Sequence, residues 1–267
     1  MAKSKSLVLS NNSFAESLFS IGTRFSLAKV FDDFLTMTIA ACSINPLTKL
    51  SNYEEEYLQT IAPYKESELR HEFPKAFAHL IRQMEERVTD SQGNDILGEF
   101  FEQHLSNGRN GQFFTPFHIC ELIASVILGE NESKTDTPIR ILDPTCGSGR
   151  MLLAARKSNA TAEYYGIDID HTCVKMAALN LFLNGMWNSE VLCADSLRAN
   201  DFVISYHISL LPFGIFKITD KEKSKLWHMH QKSFEPPEKK KSGELIELDK
   251  TPFKDRIDIK GTQLDLF

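Results

Sequence analysis

Apolar residues recur at helical spacing through the first hundred positions. Leu27, Val30, Phe31, Phe34, Leu35 and Ile39 mark one face of a helix over Ser26–Cys42, which Asn45-Pro46 closes. Tyr53–Ala62 reads as a second helix before Pro63. Lys65–Glu86 reads as a third, starting either at Lys65 or just after Pro74. Asn94–Leu105 is a fourth, capped by Asn94 or Asp95. Beyond the polar Ser106–Asn110 the period changes. Thr115-Pro116 opens a helix to Leu128, and short aliphatic runs then alternate with helices. Ile139–Leu142, Tyr164–Ile167, Glu190–Cys193 and Phe202–Ile208 read as strands, Ile215–Ile218 can finish another, and His171–Asn184 is helical. The pattern predicts an α/β sheet preceded by an all-α domain. It divides the chain into a helical domain over 1–108, the sheet over 109–218 and a polar tail over 219–267.

The stretch I-R-I-L-D-P-T-C-G-S-G-R-M-L-L, Ile139–Leu153, organises the rest. A strand ends in an acid and a proline, a Gly-Ser-Gly turn follows at Gly147–Gly149, and a helical pattern starts at Met151. This is the opening unit of a nucleotide-binding sheet. Glycine lets the backbone approach a ligand closely, and the amides that start the next helix are expected to face an anion. The second strand ends in Asp168, twenty-five residues after Asp143, where an acid accepts the ribose hydroxyls of an adenosine-containing cofactor. The third ends two residues before Asp195. Three strands thus deliver acids to one edge of the sheet.

Composition narrows the class. At 42% hydrophobic and 25% charged, the chain has the make-up of a globular protein with a sizeable core. A net charge of -6 excludes nucleic-acid binding by bulk electrostatics, so any DNA contact needs a local basic face or a partner. No apolar run reaches the length of a membrane span, and M-A-K-S-K-S lacks the apolar stretch of a secretory signal. The five cysteines are scattered without a C-x-x-C and read as reduced thiols of a cytoplasmic protein. Cys146, inside the Gly loop, is there for its small size. Trp227, His228 and His230 do not make a metal site, because no cysteine or acid cluster accompanies them, and no metal is expected.

Several motifs carry a family resemblance. These are D-I-L-G-E-F-F at Asp95–Phe101, G-Q-F-F-T-P at Gly111–Pro116, L-D-P-T-C-G-S-G at Leu142–Gly149, Y-G-I-D-I-D at Tyr165–Asp170 and A-D-S-L at Ala194–Leu197. In content and order the chain resembles the adenine-specific DNA methyltransferases of the type I restriction-modification kind, over roughly Phe25–Gly214. The resemblance implies a Rossmann-like methyltransferase sheet and S-adenosylmethionine as cofactor. It places Phe114 and Thr115 at the methionine end, Asp143 and Gly147 near the amino acid and sugar, Asp168 on the ribose and Asp195 on the adenine amine. It also implies DNA as substrate, and a specificity subunit or second methyltransferase subunit as partner. A dehydrogenase would leave G-Q-F-F-T-P and Asp195 without a role.

Two departures qualify the resemblance. The family ends its fourth strand in Asn or Asp, then Pro-Pro and an aromatic. The flipped adenine stacks on the aromatic, while the side-chain oxygen and a backbone carbonyl accept the amine protons and direct the lone pair toward the methyl group. Here the sequence is Leu210-Leu211-Pro212-Phe213. Pro212 and Phe213 fit, but Leu210 accepts no hydrogen bond, so transfer is expected to be weak or lost, as in a pseudoenzyme. Ile215–Phe267 follows, so the carboxyl half of the sheet is expected to be shortened and to hold no target-recognition domain. Within that stretch Leu245–Leu248 and Arg256–Ile259 can form a hairpin, and the lysine run near Glu235–Lys241 reads as a solvated linker. Gln263-Leu264-Asp265-Leu266-Phe267 resembles the short peptides by which bacterial proteins dock on the replicative sliding clamp. Its apolar residues either fill such a pocket or pack back on the domain.

Overall fold

A computed structural model describes residues 13–45, 47–65, 68–87, 94–106, 114–128 and 139–234. It opens with a helix the apolar spacing did not raise, α1 (Phe14–Gly22). A capping box starts it: the Glu16 amide donates to the Ser13 hydroxyl and the Ser13 amide to the Glu16 carboxylate. Next come α2 (Leu27–Ala41), α3 (Glu54–Ile61), α4 (Glu72–Arg87) and α5 (Ile96–His104). The third expected helix begins between the two starts considered, because Glu68–His71 forms a separate 3-10 turn. Pro74 is tolerated in the first turn of α4, where amides have no helical acceptor. Asp95 caps α5, with its Oδ1 accepting from the Gly98 amide at 2.9 Å.

After α6 (Phe117–Leu128) the sheet begins. Its strands are β1 (Arg140–Asp143), β2 (Glu163–Asp168), β3 (Ser189–Cys193), β4 (Ile204–Ser209) and β5 (Gly214–Ile218). They lie side by side in chain order. The first three are parallel, joined by α7 (Arg150–Ser158) and α8 (His171–Leu183). Then the direction reverses: β4 runs antiparallel to β3, and β5 antiparallel to β4. The result is a mixed α/β sheet of Rossmann-like character, with a parallel half and an antiparallel extension.

Helix α8 is buried nearly all round, since the sheet takes one side and α2 the other. Two polar ties fasten the helical segment to this layer. Buried Lys175 on α8 donates to Asp32 Oδ1 at 2.8 Å and Thr36 Oγ1 at 2.9 Å on α2. On β5, the Ile215 amide donates to the Cys42 carbonyl at 3.3 Å and the Lys217 amide to the Tyr53 hydroxyl at 2.6 Å.

The stretch after Lys217, expected to be polar tail, instead carries a helix, α9 (Lys225–Phe234). Leu226 and Trp227 pack on Tyr165, Ile167, Leu192 and Ala194, covering the second face of the sheet. Four apolar residues among six polar ones give little periodicity, but here Leu226 and Trp227 fill one gap over the strands. Residues up to Phe234 form a compact unit. Leu245–Leu248, Arg256–Ile259 and Gln263–Phe267 lie outside the described residues. Among those described, no helix is long and apolar enough to cross a membrane.

Glu190 holds β3, β4 and α9 together. This buried carboxylate accepts from Ser205 Oγ at 2.6 Å, Ser224 Oγ at 2.5 Å and the Leu226 amide at 3.1 Å. Glu190→Ala strands the Ser224 hydroxyl and the Leu226 amide, while Ser205 Oγ keeps the Val191 carbonyl at 3.2 Å, and is expected to cost about 2–4 kcal/mol in urea unfolding. Glu190→Gln, which keeps one acceptor, is expected to cost less.

Candidate functional site

The loop after β1 crosses to the end of β2. The Cys146 amide donates to the Ile167 carbonyl at 2.8 Å, and Gly147 then turns with φ +53°. A Cβ on Gly147 would stand 2.8 Å from the Phe114 ring, so glycine is required twice, for conformation and for space. The expectation that the loop amides face an external anion is corrected at Gly147. Its N–H donates to Asp168 Oδ2 at 2.8 Å, while the Asp170 amide donates to Oδ1 at 2.9 Å. Asp168 is thereby fixed, and each oxygen keeps a second lone pair. Burial pushes its carboxyl above the usual range, against the pull of those amides. Cys146 packs against Gly166, where a Cβ would come within 2.9 Å of the sulfur, and burial drives its thiol well up. Size, not reactivity, accounts for this cysteine.

A cavity of about 370 Å³ opens at this edge, within the range that holds small ligands. Phe114, Gly147, Asp168 and Asp195 line it together, although they are scattered over eighty positions of sequence. Pro144, Thr145, Ile169 and Leu197 complete much of the wall. Ile169 and Leu197 are exposed apolar side chains that can flank a flat ring. Asp195 Oδ1 accepts from the Leu197 amide at 3.0 Å, and its Oδ2 meets Arg198 at 3.1 Å. Among the described residues, two carboxylates and no lysine or arginine line the cavity, with Arg198 paired to one of them, Asp195. Such a wall repels polyphosphates and suits a ligand that carries positive charge and donates hydrogen bonds.

The remaining expected cofactor residues stand just outside. Asp143 caps the loop through the Thr145 amide at 3.1 Å, and burial raises its carboxyl pKa. Thr115 offers its carbonyl to Arg150 Nη1 at 3.3 Å. Gly111, Gln112 and Phe113 lie outside the described residues. Pro212 and Phe213 are not at this edge. Because β4 is antiparallel, Ile208 pairs with Ser189 at the amino end of β3, and the turn Leu210–Phe213 hangs there. The cavity sits at the carboxyl ends, next to the Asp168–Cys193 pair. Leu210, Leu211 and Phe213 are exposed, and the Phe213 ring leans on Phe182 and Trp187. His228 and His230 each donate from Nε2 to a backbone carbonyl, that of Glu222 at 3.0 Å and of Arg198 at 2.9 Å.

Sequence reasoning gave Asp95 only a capping role. It is buried, and four donors converge on it: the Gly98 amide at 2.9 Å, Ser148 Oγ at 2.6 Å, Arg150 Nε at 2.7 Å and Asn180 Nδ2 at 2.7 Å. These donors belong to α5, the Gly loop, α7 and α8. Burial pushes Asp95 up, against the pull of Arg150. Arg150, itself disfavoured by burial, is held above its usual value by Asp95 and Glu102. The Arg150 guanidinium also lies 5.4 Å from the Phe114 ring centre, close enough for a cation–π contact. One signal was legible: a cation in the first turn of a helix opposes the macrodipole unless an anion answers it.

Fold and site together define a cofactor-binding α/β half-sheet with an acidic cavity at its Gly loop. The chain belongs to the N-6 DNA Methylase family, whose model matches residues 92–243. The methylase subunit of a type I restriction enzyme from Mycoplasma pneumoniae is 30% identical over 125 residues, 42% of this chain and 22% of that protein. One from Methanocaldococcus jannaschii is 30% identical over 177 residues, 62% of this chain and 29% of its own. A third, from Haemophilus influenzae, is 32% identical over 105 residues, 34% of this chain and 22% of its own. The chain thus matches less than a third of the length of these relatives. The family's cofactor is S-adenosylmethionine, whose sulfonium and ammonium charges and ribose and adenine donors fit a wall that carries the Asp168 and Asp195 carboxylates.

Removing the Asp95 carboxylate leaves the buried Arg150 with one carboxylate, Glu102, at the longer distance of 3.4 Å. Asp95→Ala is expected to cost about 3–5 kcal/mol in urea unfolding, with Asp95→Asn falling between it and the wild type.

Proposed function

We propose that this chain forms the methyl-donor-binding part of a DNA adenine-N6 methyltransferase of the restriction-modification kind. The observation that carries the reading is the convergence of Phe114, Gly147, Asp168 and Asp195 on one cavity, whose described lining holds two carboxylates. In this reading Asp168 accepts the ribose hydroxyls, and Asp195 accepts the adenine amine between Ile169 and Leu197. Phe114 and the Thr115 segment lie toward the methionine end, and Asp143 holds the loop beneath the sugar. The bound cofactor supplies an electrophilic methyl group. The protein's own work is to orient it and to keep phosphorylated nucleotides out. Family membership and the type I methylase relatives support DNA as substrate and further subunits as partners. The position of Leu210–Phe213 favours weak or absent transfer by this chain alone, because no acceptor for the adenine amine reaches the cavity from there.

A second reading is a non-catalytic interaction module, docking on a bacterial sliding clamp through Gln263–Phe267. The exposed Leu210 and Leu211 favour it in one respect, since neither residue can serve base activation. If clamp pull-down is unchanged by deletion of Gln263–Phe267, that docking idea fails.

The primary test is a calorimetric titration with S-adenosylmethionine. Saturable binding is expected, weakened about ten- to a hundredfold by Asp168→Ala, the worth of one or two hydrogen bonds to a charged acceptor. Gly147→Val, which drives a side chain into Phe114, is expected to abolish it. Wild type that does not bind overturns the reading. Adenine methylation by the double variant Leu210→Asn, Leu211→Pro is expected to equal that of wild type by mass spectrometry, since the altered turn stands at the wrong edge. A gain of activity would show that the turn does reach the base.

A further inference from the structure

The Phe114 wall of the cavity is built from a segment that is not part of the sheet. Phe114 and Thr115 lie between α5 and α6, and Pro116 after them disfavours a helical backbone at Thr115. The Phe114 ring lies against Gly147, where a Cβ would stand 2.8 Å away. Its other described contacts come from α5 and α7. The Phe101 ring of α5 stacks on it, with 5.9 Å between centres and 24° between planes. The Arg150 guanidinium of α7 lies 5.4 Å from its centre.

Arg150 is committed in several directions at once. Its Nε donates to Asp95 Oδ2 at 2.7 Å, and its Nη1 donates to the Thr115 carbonyl at 3.3 Å and to Glu102 Oε2 at 3.4 Å. Asp95 caps α5, and Phe101 and Glu102 lie on it. One guanidinium thus ties α5 to both residues of the wall, to the ring of Phe114 and to the backbone of Thr115. The planar fork of arginine suits this task. A lysine ammonium answers Asp95 but offers no plane to the ring and no second arm to Thr115. Arg150 is buried, and neither it nor Phe101 is part of the cavity's described lining. Any effect of either residue on a ligand is therefore exerted through Phe114 and Thr115.

We infer that Arg150 is a positioning residue for the methionine end of the cofactor, and that through it α5 is a working part of the cofactor site. The inference rests on the methyltransferase reading for the identity of the ligand. It adds a division of the cavity into two subsites with different supports. The base and sugar meet Asp168 and Asp195, which are fixed by contacts within the sheet's own loops: Asp168 by the Gly147 and Asp170 amides, Asp195 by the Leu197 amide and Arg198. The methionine end meets a wall that the helical segment holds in place. The coupling runs both ways by linkage. A ligand that presses on Phe114 steadies α5, and a loosened α5 weakens that ligand.

Two ligands and two variants of the full chain separate the subsites. S-adenosylmethionine carries the whole cofactor, and adenosine carries the same base and sugar without methionine. Arg150→Lys keeps a cation for Asp95. In calorimetric titration it is expected to weaken S-adenosylmethionine about tenfold, the effect of one hydrogen bond from a charged donor. Adenosine affinity is expected to stay within about twofold of wild type. Phe101→Leu keeps an apolar side chain and removes the stacked ring. It is expected to weaken S-adenosylmethionine about threefold and to leave adenosine unchanged. Hydrogen exchange along α5 of the wild type is expected to slow with S-adenosylmethionine and not with adenosine. Urea unfolding checks that each variant is folded, and if Arg150→Lys does not fold, Phe101→Leu decides. An arginine that serves stability alone leaves both affinities unchanged in a folded variant. That result overturns the inference while the cofactor site stands. Equal weakening of both ligands overturns it too, because the whole Gly loop has then moved. Wild type that binds neither ligand overturns the methyltransferase reading and the inference with it.

Discussion

Everything at the cofactor edge depends on one buried carboxylate. Asp95 lies before α5, far in sequence from the sheet, yet it takes hydrogen bonds from the Gly loop, α7 and α8. A carboxylate out of water is costly unless its lone pairs are answered, and here four donors answer them. The requirement works in both directions. Arg150 can sit in the first turn of α7 because Asp95 neutralises it, and Ser148 is fixed because its hydroxyl has one destination. Gly98 must be glycine, since a Cβ there would collide with that same carboxylate and with Ser148. Helical segment and sheet are thus joined at the point where precision matters for binding.

From that anchor the geometry propagates to the cavity. Arg150 reaches the Thr115 carbonyl and the Phe114 ring, so the segment before α6 is held against the Gly loop. The loop in turn spends the Gly147 amide on Asp168. Backbone donors that another α/β fold would present to phosphate are used internally here, and the carboxylates are what remain to face the ligand. The sign of the cavity's described lining follows from this.

The reversal of direction at β4 has the largest consequence for function. It turns the sheet away from a doubly wound plan and carries Leu210–Phe213 to the edge opposite the cofactor. Among the described residues, β1 is an outer strand of the sheet, beside the Gly loop.

Much of this was legible in the residues themselves. Helices α2, α5, α6 and α8 and all five strands follow from period and punctuation, because periodicity, caps and Gly-rich turns are short-range effects that each segment carries with it. Asp168 and Asp195 were readable for the same reason, as acids closing successive strands. Helix α1 was legible too, through Ser13 and Glu16, but its capping box was passed over. The partners of Asp95, 53 and 85 positions away for Ser148 and Asn180, were not readable, since no local pattern records which buried donors will meet. Nor was helix α9, whose Leu226 and Trp227 become core only once the second face of the sheet exists. The decisive point was strand direction. Sequence sets where a strand begins and ends. Whether β4 joins β1 in parallel or β3 antiparallel is settled by the pairing and burial of distant segments, and only the tertiary structure shows it.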